Sequence, residues 1–496
     1  MYYQSTRGGV EVSAAEAIAF GLADDGGLFV PESFPRLNPG WALELAAMPY
    51  HNRAASVVGM FLNEFSEEEL LRYTSDAYSK PAFDDPSIAP VHKLNNGTYF
   101  LELWHGPTCA FKDMALQLHP HLLVASLGKN ADSRDVCILV ATSGDTGKAA
   151  LEGFRDISGI KIMVFYPRDG VSDVQKLQMI SQEGGNINVV AVEGNFDDAQ
   201  TGVKKTFTDK DLSRTLDSRG VFLSSANSIN WGRLVPQIAY YVSAYCDLIV
   251  NGEIKSGEPI NYCVPTGNFG NILAAYYAER IGVPINRLIC ASNRNDVLTQ
   301  FVNTGVYDKM RPFYSTSSPS MDILVSSNLE RLLFELSGKD GAAIVSYMDA
   351  LRDNGKYQIS GMLKEELGRL FSGGTCSEKD TMLTIAEMHK EYNYLIDTHT
   401  AVAVKVLSDY RRTTGDNTKT VVVSTASPFK FADSVLGALG QSVAVAGVRS
   451  IDSLSEFTKQ RVPSPLLGLY DRQARFSECV RPDGMKDAVL RFLDRS

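Results

Sequence analysis

The chain has no C-x-x-C pair, no surplus of Lys and Arg, and no long apolar run, and each shortage closes a class of function. Its seven cysteines stand singly along 496 residues, several inside apolar runs such as VCILVA and INYCVP. That spacing argues against a thiolate metal site or a dithiol redox centre and fits reduced core thiols in a cytoplasmic protein. A membrane helix needs about 20 consecutive apolar residues, and a secretory signal needs a basic segment ahead of an apolar core. MYYQSTRGGVEVSAAEA and the segments after it offer neither, so no membrane partner is expected. With 58 acidic against 48 basic side chains and a formal charge of −10, no nucleic-acid partner is expected either. G-x-G-x-x-G, the Walker pattern and H-E-x-x-H are also missing, so dinucleotide, P-loop and zincin readings lose their usual support. His119 and His121 have no further ligand at metal spacing, and no metal is expected.

What is present is the balance of an ordinary globular protein, 44% hydrophobic and 21% charged, long enough for two or three compact units. Residues 1 to about 80 mix helical patterns (SAAEAIAFGL, EEELLRYTSDAYS) with the turn-rich DDGGLFVPESFP, and PAFDDPSIAP then breaks the periodicity with three prolines. This places a boundary near residues 81 to 95. The expected division is an N-terminal domain over 1–85 and a catalytic region of two lobes over 86–496. In the second part, β-rich runs alternate with helical ones: DVCILVAT with GKAALEGFRD, KIMVFYP with VSDVQKLQMISQEG, INVVAVEG with DDAQTGVKKTF, INYCVP with NILAAYYAERIG, and KTVVVSTA with FADSVLGALG. The pattern predicts an α/β body with parallel sheets, whose ligands sit at the carboxyl ends of the strands. The helical patterns between about 305 and 400 receive no role beyond packing.

Three strand–loop–helix junctions carry chemical information. In INYCVPTGNFGNILAAYYAERIG, glycines flank Asn268-Phe269 just ahead of a helix. Backbone N–H groups there lack intrahelical partners and lie at the positive end of the dipole, which makes a phosphate cradle. In DVCILVATSGDTGKAALEG, Ser143 and Thr146 add hydroxyls beside Gly144 and Gly147, and a helix begins at Lys148; the plainer alternative is that Ser143 or Asp145 caps that helix. FLSSANSINWGRLVPQ sets Ser228, Asn230 and Arg233 within one or two turns, where the arginine could grip an oxyanion from two sides. Each junction taken singly is also what an ordinary turn or surface arginine looks like. Together they call for a ligand pair with several phosphates or carboxylates. Lys112, in LWHGPTCAFKDMA, then acquires a purpose. An amine among apolar neighbours loses the solvation of its charged form and can attack a carbonyl. Pyridoxal 5′-phosphate combines an aldehyde with a phosphate.

HGPTCAFKD (105–113), ATSGDTG (141–147), NSINWGR (227–233), PTGNFGN (265–271) and STASPFKF (424–431) resemble, in order and spacing, the motifs of the threonine synthase family. The branch resembled has an added N-terminal domain, whose D-G-G-L-F-V-P hallmark stands at 25–31. The resemblance implies PLP fold type II, like the tryptophan synthase β-subunit: two α/β lobes with parallel sheets around a cleft. It also implies conversion of O-phospho-L-homoserine and water into L-threonine and phosphate, the last step of threonine biosynthesis, by γ-elimination and β-hydration. Lys112 would be the Schiff-base lysine, Gly267, Asn268, Phe269, Gly270 and Asn271 the phosphate cradle, and Thr425 the partner of the pyridine nitrogen. Asp145 would lie near the cofactor's phenolic oxygen. Ser143, Thr146, Ser228, Asn230 and Arg233 would hold the substrate's carboxylate and phosphate. Lys430 matches a family lysine, while Ser427 replaces a family histidine. The expected partner is the small-molecule substrate, and the protein a monomer or homodimer. A related phospho-lyase giving an α-keto acid, a serine or threonine dehydratase, and a non-catalytic phosphometabolite-binding protein stay open.

Overall fold

The computed structural model describes residues 1–9, 11–168, 170–441 and 447–494. Near the N-terminus, the strand Tyr3–Ser5 pairs antiparallel with Phe29–Pro31, and the helices Ala14–Phe20 and Glu67–Ala77 start at capping boxes, Ser13 with Glu16 and Ser66 with Glu69. This part packs on the helix Trp231–Val250, which is buried along almost its whole length. That burial explains why its sequence is apolar all round instead of along one stripe. Arg53, from the helix Tyr50–Phe61, reaches across to Asp247 at 2.5 Å and to the Ser243 hydroxyl at 2.8 Å.

The rest is α/β with two sheets. One has six strands in the order Phe371–Thr375, Ile285–Ser292, Ile260–Pro265, Thr420–Ser424, Thr98–Glu102 and Val91–Asn95. The other has five, in the order Cys479–Val480, Ile187–Val192, Ile160–Pro167, Asp135–Ala141 and Val221–Ser224. Every pairing within them is parallel except the last of the larger sheet, where Val91–Asn95 runs antiparallel to Thr98–Glu102. Only the first strand of that hairpin overlaps the boundary expected near residues 81 to 95. Asn96-Gly97 makes its turn, with Gly97 at φ +117°, a conformation glycine adopts without Cβ strain.

The strands Asp135–Ala141, Val221–Ser224, Ile260–Pro265 and Thr420–Ser424 end at loops that carry chemical residues. All but Val221–Ser224 are buried along their cores, which mounts their loops on rigid supports. Six of the seven cysteines are buried as expected, but Cys479, on an edge strand, is exposed. No helix among the described residues is long and apolar enough to cross a membrane.

Candidate active site

Loops from both sheets meet at one cavity, lined by Phe111, Lys112, Thr142, Ser143, Thr146, Asn227, Ser228, Arg233, the 265–271 segment, Ser320, His399 and Thr425, among others. Lys112 sits at the start of a short helix, and its segment is stitched to the loop after Thr420–Ser424. Phe111 N–H donates to Thr425 O (2.8 Å), Ser427 N–H to Cys109 O (3.0 Å) and Lys430 Nζ to Thr108 O (2.8 Å). Asp113 ties the same segment internally, accepting from Thr108 N (2.8 Å) and Thr108 Oγ1 (2.6 Å). Burial nevertheless lifts its pKa to about 6, against the pull of those bonds. Gly106 is required here, because a Cβ would lie 2.6 Å from Asp113 Cβ.

Lys112 is 8% exposed, with its ammonium over the Phe111 ring at 4.8 Å. Burial lowers its pKa to about 8, opposed by Asp145 and reinforced by the charges of Arg233 and Lys430. Asp145 is held ionised. Burial alone would raise its pKa, but Lys430 at 2.8 Å and Lys112 at 3.6 Å bring it well below the usual carboxylate range.

Ahead of the helix Gly270–Ile281, Phe269 adopts φ +65°, ψ −5°, a left-handed conformation that costs a bulky residue on the order of 1–3 kcal/mol. The turn this creates leaves the N–H groups of Asn268, Phe269, Gly270 and Asn271 without protein acceptors among the described residues. Its carbonyls, by contrast, are tied down: Ser326 Oγ donates to Gly267 O (2.9 Å), and Asn328 donates to Asn268 O through Nδ2 (3.0 Å) and N (3.2 Å). Tyr240 and Tyr241 both donate to Asn271 Oδ1, at 2.5 and 2.6 Å, and its buried Nδ2 has no partner among the described residues.

The second loop is built similarly, but its cap is neither of the residues the sequence offered. Thr142 Oγ1 accepts from Gly144 N (2.9 Å) and Gly147 N (2.8 Å), and the helix Asp145–Gly153 begins three residues before Lys148. Among the described residues, the N–H groups of Ser143, Asp145 and Thr146 remain without protein acceptors. Gly144 is at φ +130°, with Gln175 only 2.4 Å from where a Cβ would stand.

In the third loop, Arg233 is 3% exposed and its guanidinium meets no carboxylate among the described residues; Nη1 donates to Ala226 O (2.6 Å) and Nε has no partner. Burial lowers its pKa to about 10, which leaves it charged. Asn230 is not brought to the cavity. Its side chain caps Trp231–Val250 by accepting from Gly232 N (2.8 Å), and its Nδ2 donates to Ile18 O and Ser225 O, each at 3.0 Å. An N-cap position needs the short acceptor that Asn supplies, and that need takes the side chain out of the site. Asp145 does not line the cavity directly; it lies behind Lys112.

The 305–400 region, expected only to pack, contributes to the site. Ser320 and His399 line it, and Ser320 Oγ donates to Asp145 Oδ2 (3.2 Å). Gln175 Nε2 holds the other oxygen of Asp145 (2.9 Å), and Asn227 and Gln237 complete the wall. Apart from Asn227, which stands in the NSINWGR motif, no local pattern marks these residues as functional. The one available signal was the Asp397-x-His399 spacing, which puts a carboxylate within reach of the ring.

The model of pyridoxal-phosphate-dependent enzymes matches residues 85–426, the threonine synthase N-terminus model matches 2–78, and the threonine synthase C-terminal model matches 400–489. Threonine synthase of Pseudomonas aeruginosa is 40% identical over 451 residues, 90% of this chain and 92% of that one.

The chain belongs to the threonine synthase family. Human threonine synthase-like 1 is 43% identical over 435 residues, 86% of this chain, and the chain spans 58% of that relative's length. The crystal structure of PLP-bound threonine synthase from Brucella melitensis has a TM-score of 0.86 at 35% identity, covering 99% of each chain. The fold is therefore PLP fold type II with the family's N-terminal domain. The residues of this threonine synthase family member fit pyridoxal phosphate. Four unpartnered amides at a helix start suit its phosphate, and a buried, partly neutral primary amine suits its aldehyde. Gly267 keeps the cradle open, because a Cβ would stand 2.6 Å from Ser320 O.

Proposed function

We propose that the chain acts as a threonine synthase, a carbon–oxygen lyase on a phosphate ester that converts O-phospho-L-homoserine and water into L-threonine and phosphate. The observation that carries this reading is the Arg233 guanidinium, charged, buried, and without a carboxylate partner among the described residues in the cavity it shares with Lys112. A buried charge needs a counter-ion. A phosphorylated substrate supplies one in addition to the carboxylate assigned below to Ser143 and Thr146, whereas the substrate of a dehydratase carries the carboxylate alone.

When bound, pyridoxal phosphate supplies an aldehyde for an amine and a ring that delocalises the electron pair left on a substrate carbon. Residues 267–271 bind its phosphate through free amides, and Thr425 offers the ring nitrogen a neutral hydroxyl. With no carboxylate at that position the nitrogen is not strongly favoured as its protonated form, which suits elimination over transamination. Lys112 Nζ, close to half neutral near pH 8, takes the proton from the substrate's α-carbon. Ser143 and Thr146, with the amides of their loop, hold the substrate carboxylate. Arg233 and Ser228 hold the phosphate and stabilise its charge as the bond from the γ-carbon to oxygen breaks. Phosphate leaves with its bridging oxygen as a proton is lost from the β-carbon, the γ-carbon takes up a proton to become the methyl group, and water supplies the hydroxyl at the β-carbon and returns the α-proton. Residues 1–85 act as an N-terminal unit that braces the third loop, through Asn230 on Ile18 O and through Arg331, which donates to Phe29 O (2.9 Å) and Ile229 O (2.6 Å).

Incubating the purified protein with O-phosphohomoserine tests this. Phosphate released in step with threonine supports the reading. Phosphate accompanied by ammonia and an α-keto acid would replace it with a phospho-lyase. A colourless protein that releases no phosphate would replace it with a binding protein.

A further inference from the structure

His399 is a buried imidazole on the cavity wall, 2% exposed, that the reaction above does not use. Its orientation is fixed from behind. Nδ1 lies 2.7 Å from Asp397 Oδ2, and the ring packs on Phe431 at 4.9 Å. Asp397 is itself held, fully buried, by the amides of His399 (2.9 Å) and Thr400 (3.0 Å). A carboxylate on Nδ1 keeps the proton there and leaves Nε2 as an acceptor. Nε2 accepts from the amide of Ser320 (3.2 Å), a group that can only donate.

Ser320 lies in the one-turn segment Pro319–Met321 and faces two parts of the site. Its carbonyl abuts Gly267, and its hydroxyl donates to Asp145 Oδ2. The two oxygens of Asp145 are thereby divided. Oδ1 is taken by Gln175 and Lys430, while Oδ2 is shared between Ser320 and Lys112 Nζ at 3.6 Å. A carboxylate oxygen already accepting a hydrogen bond attracts a neighbouring ammonium less strongly.

We propose that His399, oriented by Asp397, is a positioning residue for Lys112: it seats Ser320 so that the serine hydroxyl occupies Asp145 Oδ2 and loosens that carboxylate's hold on the amine's proton. The proposal rests on Lys112 being the amine that takes the cofactor. It does not depend on which substrate is turned over. Removing either link returns Oδ2 to the lysine alone, so the ammonium persists to higher pH.

The test uses the full-length protein, freed of cofactor, and follows the rate at which added pyridoxal phosphate forms its coloured adduct as a function of pH. Borohydride trapping and peptide mass spectrometry identify the lysine that reacts. In the parent the rate climbs with pH and levels near the Lys112 pKa of about 8. In Ser320→Ala and His399→Ala the levelling point is expected to move up by about one pH unit, a tenfold slower rate at neutral pH. In His399→Gln, whose amide oxygen can accept in place of Nε2, it is expected to stay near the parent. Asp145→Asn is expected to move it down. Ser320 is only half-buried, so Ser320→Ala keeps the test decisive if His399→Ala does not fold. Profiles of Ser320→Ala and His399→Ala that superimpose on the parent, with the label still on Lys112, overturn the proposal alone. A label on another lysine overturns the assignment of Lys112 as well.

Discussion

At the scale of single residues, two cations in one cavity are treated differently, and the difference is functional. Lys112 has a carboxylate 3.6 Å away and a pKa near 8, so a useful fraction is neutral at physiological pH. Arg233 has no carboxylate partner among the described residues, yet the intrinsic basicity of a guanidinium keeps it charged despite burial. Under the proposed function the first would attack a carbonyl and move protons, and the second would receive an anion. Lys112→Ala is therefore expected to abolish the yellow colour of the loaded protein and to lower threonine formation at least about 100-fold, as general-base removal does; absorbance and product assays on the same sample check both. Arg233→Met is expected to leave the colour intact while lowering kcat/KM for O-phosphohomoserine by about 2–4 kcal/mol, roughly 30- to 1000-fold, the loss typical of a buried charge-assisted contact. A steady-state comparison with Arg233→Lys separates charge from the two-pronged geometry, since a lysine restores only the charge.

At the scale of elements, the site consists of strand ends whose loops are forced to expose their amides. The left-handed Phe269 turns the chain so that four consecutive N–H groups face the cavity, while Ser326 and Asn328 take the carbonyls on the other side. Gly267 keeps the turn in contact with Ser320 O. Gly267→Ala should push the two segments apart and weaken cofactor binding about tenfold, read as the apparent Kd in a pyridoxal phosphate titration, with little change in far-ultraviolet circular dichroism because no helix or strand is interrupted. An unaltered Kd would mean that the contact is slack.

At the scale of the whole molecule, the helix Leu329–Leu336 joins the N-terminal part to the body. Arg7 pairs with Glu330 through Nε (2.8 Å) and Nη2 (2.9 Å), and the buried Arg331 bridges Phe29 O to Ile229 O. The same helix carries a strained titration. Burial raises the Glu335 pKa to about 7, only partly offset by Lys339 and Arg280, and its Oε1 has no partner among the described residues. A carboxyl whose folded-state pKa exceeds its unfolded value, about 4.3, favours the folded state most below the unfolded pKa, and that contribution is lost as pH rises through 7. Glu335→Gln is accordingly expected to stabilise the protein by about 1–3 kcal/mol at pH 8, seen as a higher thermal midpoint, and to lose most of that advantage at pH 5.

The sequence by itself determined the alternation of strands and helices and the three junctions, and it singled out Lys112 as the candidate amine. These are local properties: strand periodicity, glycine at turns and free amides at helix starts are all set by residues close in the chain. It left the Asn96-Gly97 hairpin unread, although that dipeptide is a strong turn signal, because the neighbouring prolines were read as a boundary. It could not separate Arg233 from Asn230, three residues apart in one motif. Only the packing of Trp231–Val250 decides that one faces the cavity and the other caps the helix against Ile18. Nor could it bring Ser320 and His399 to a lysine some two hundred or more residues away in the chain. Which oxygen of Asp145 meets which donor is fixed by long-range contacts among separate segments, and the balance of charge at Lys112 is therefore a property of the tertiary structure.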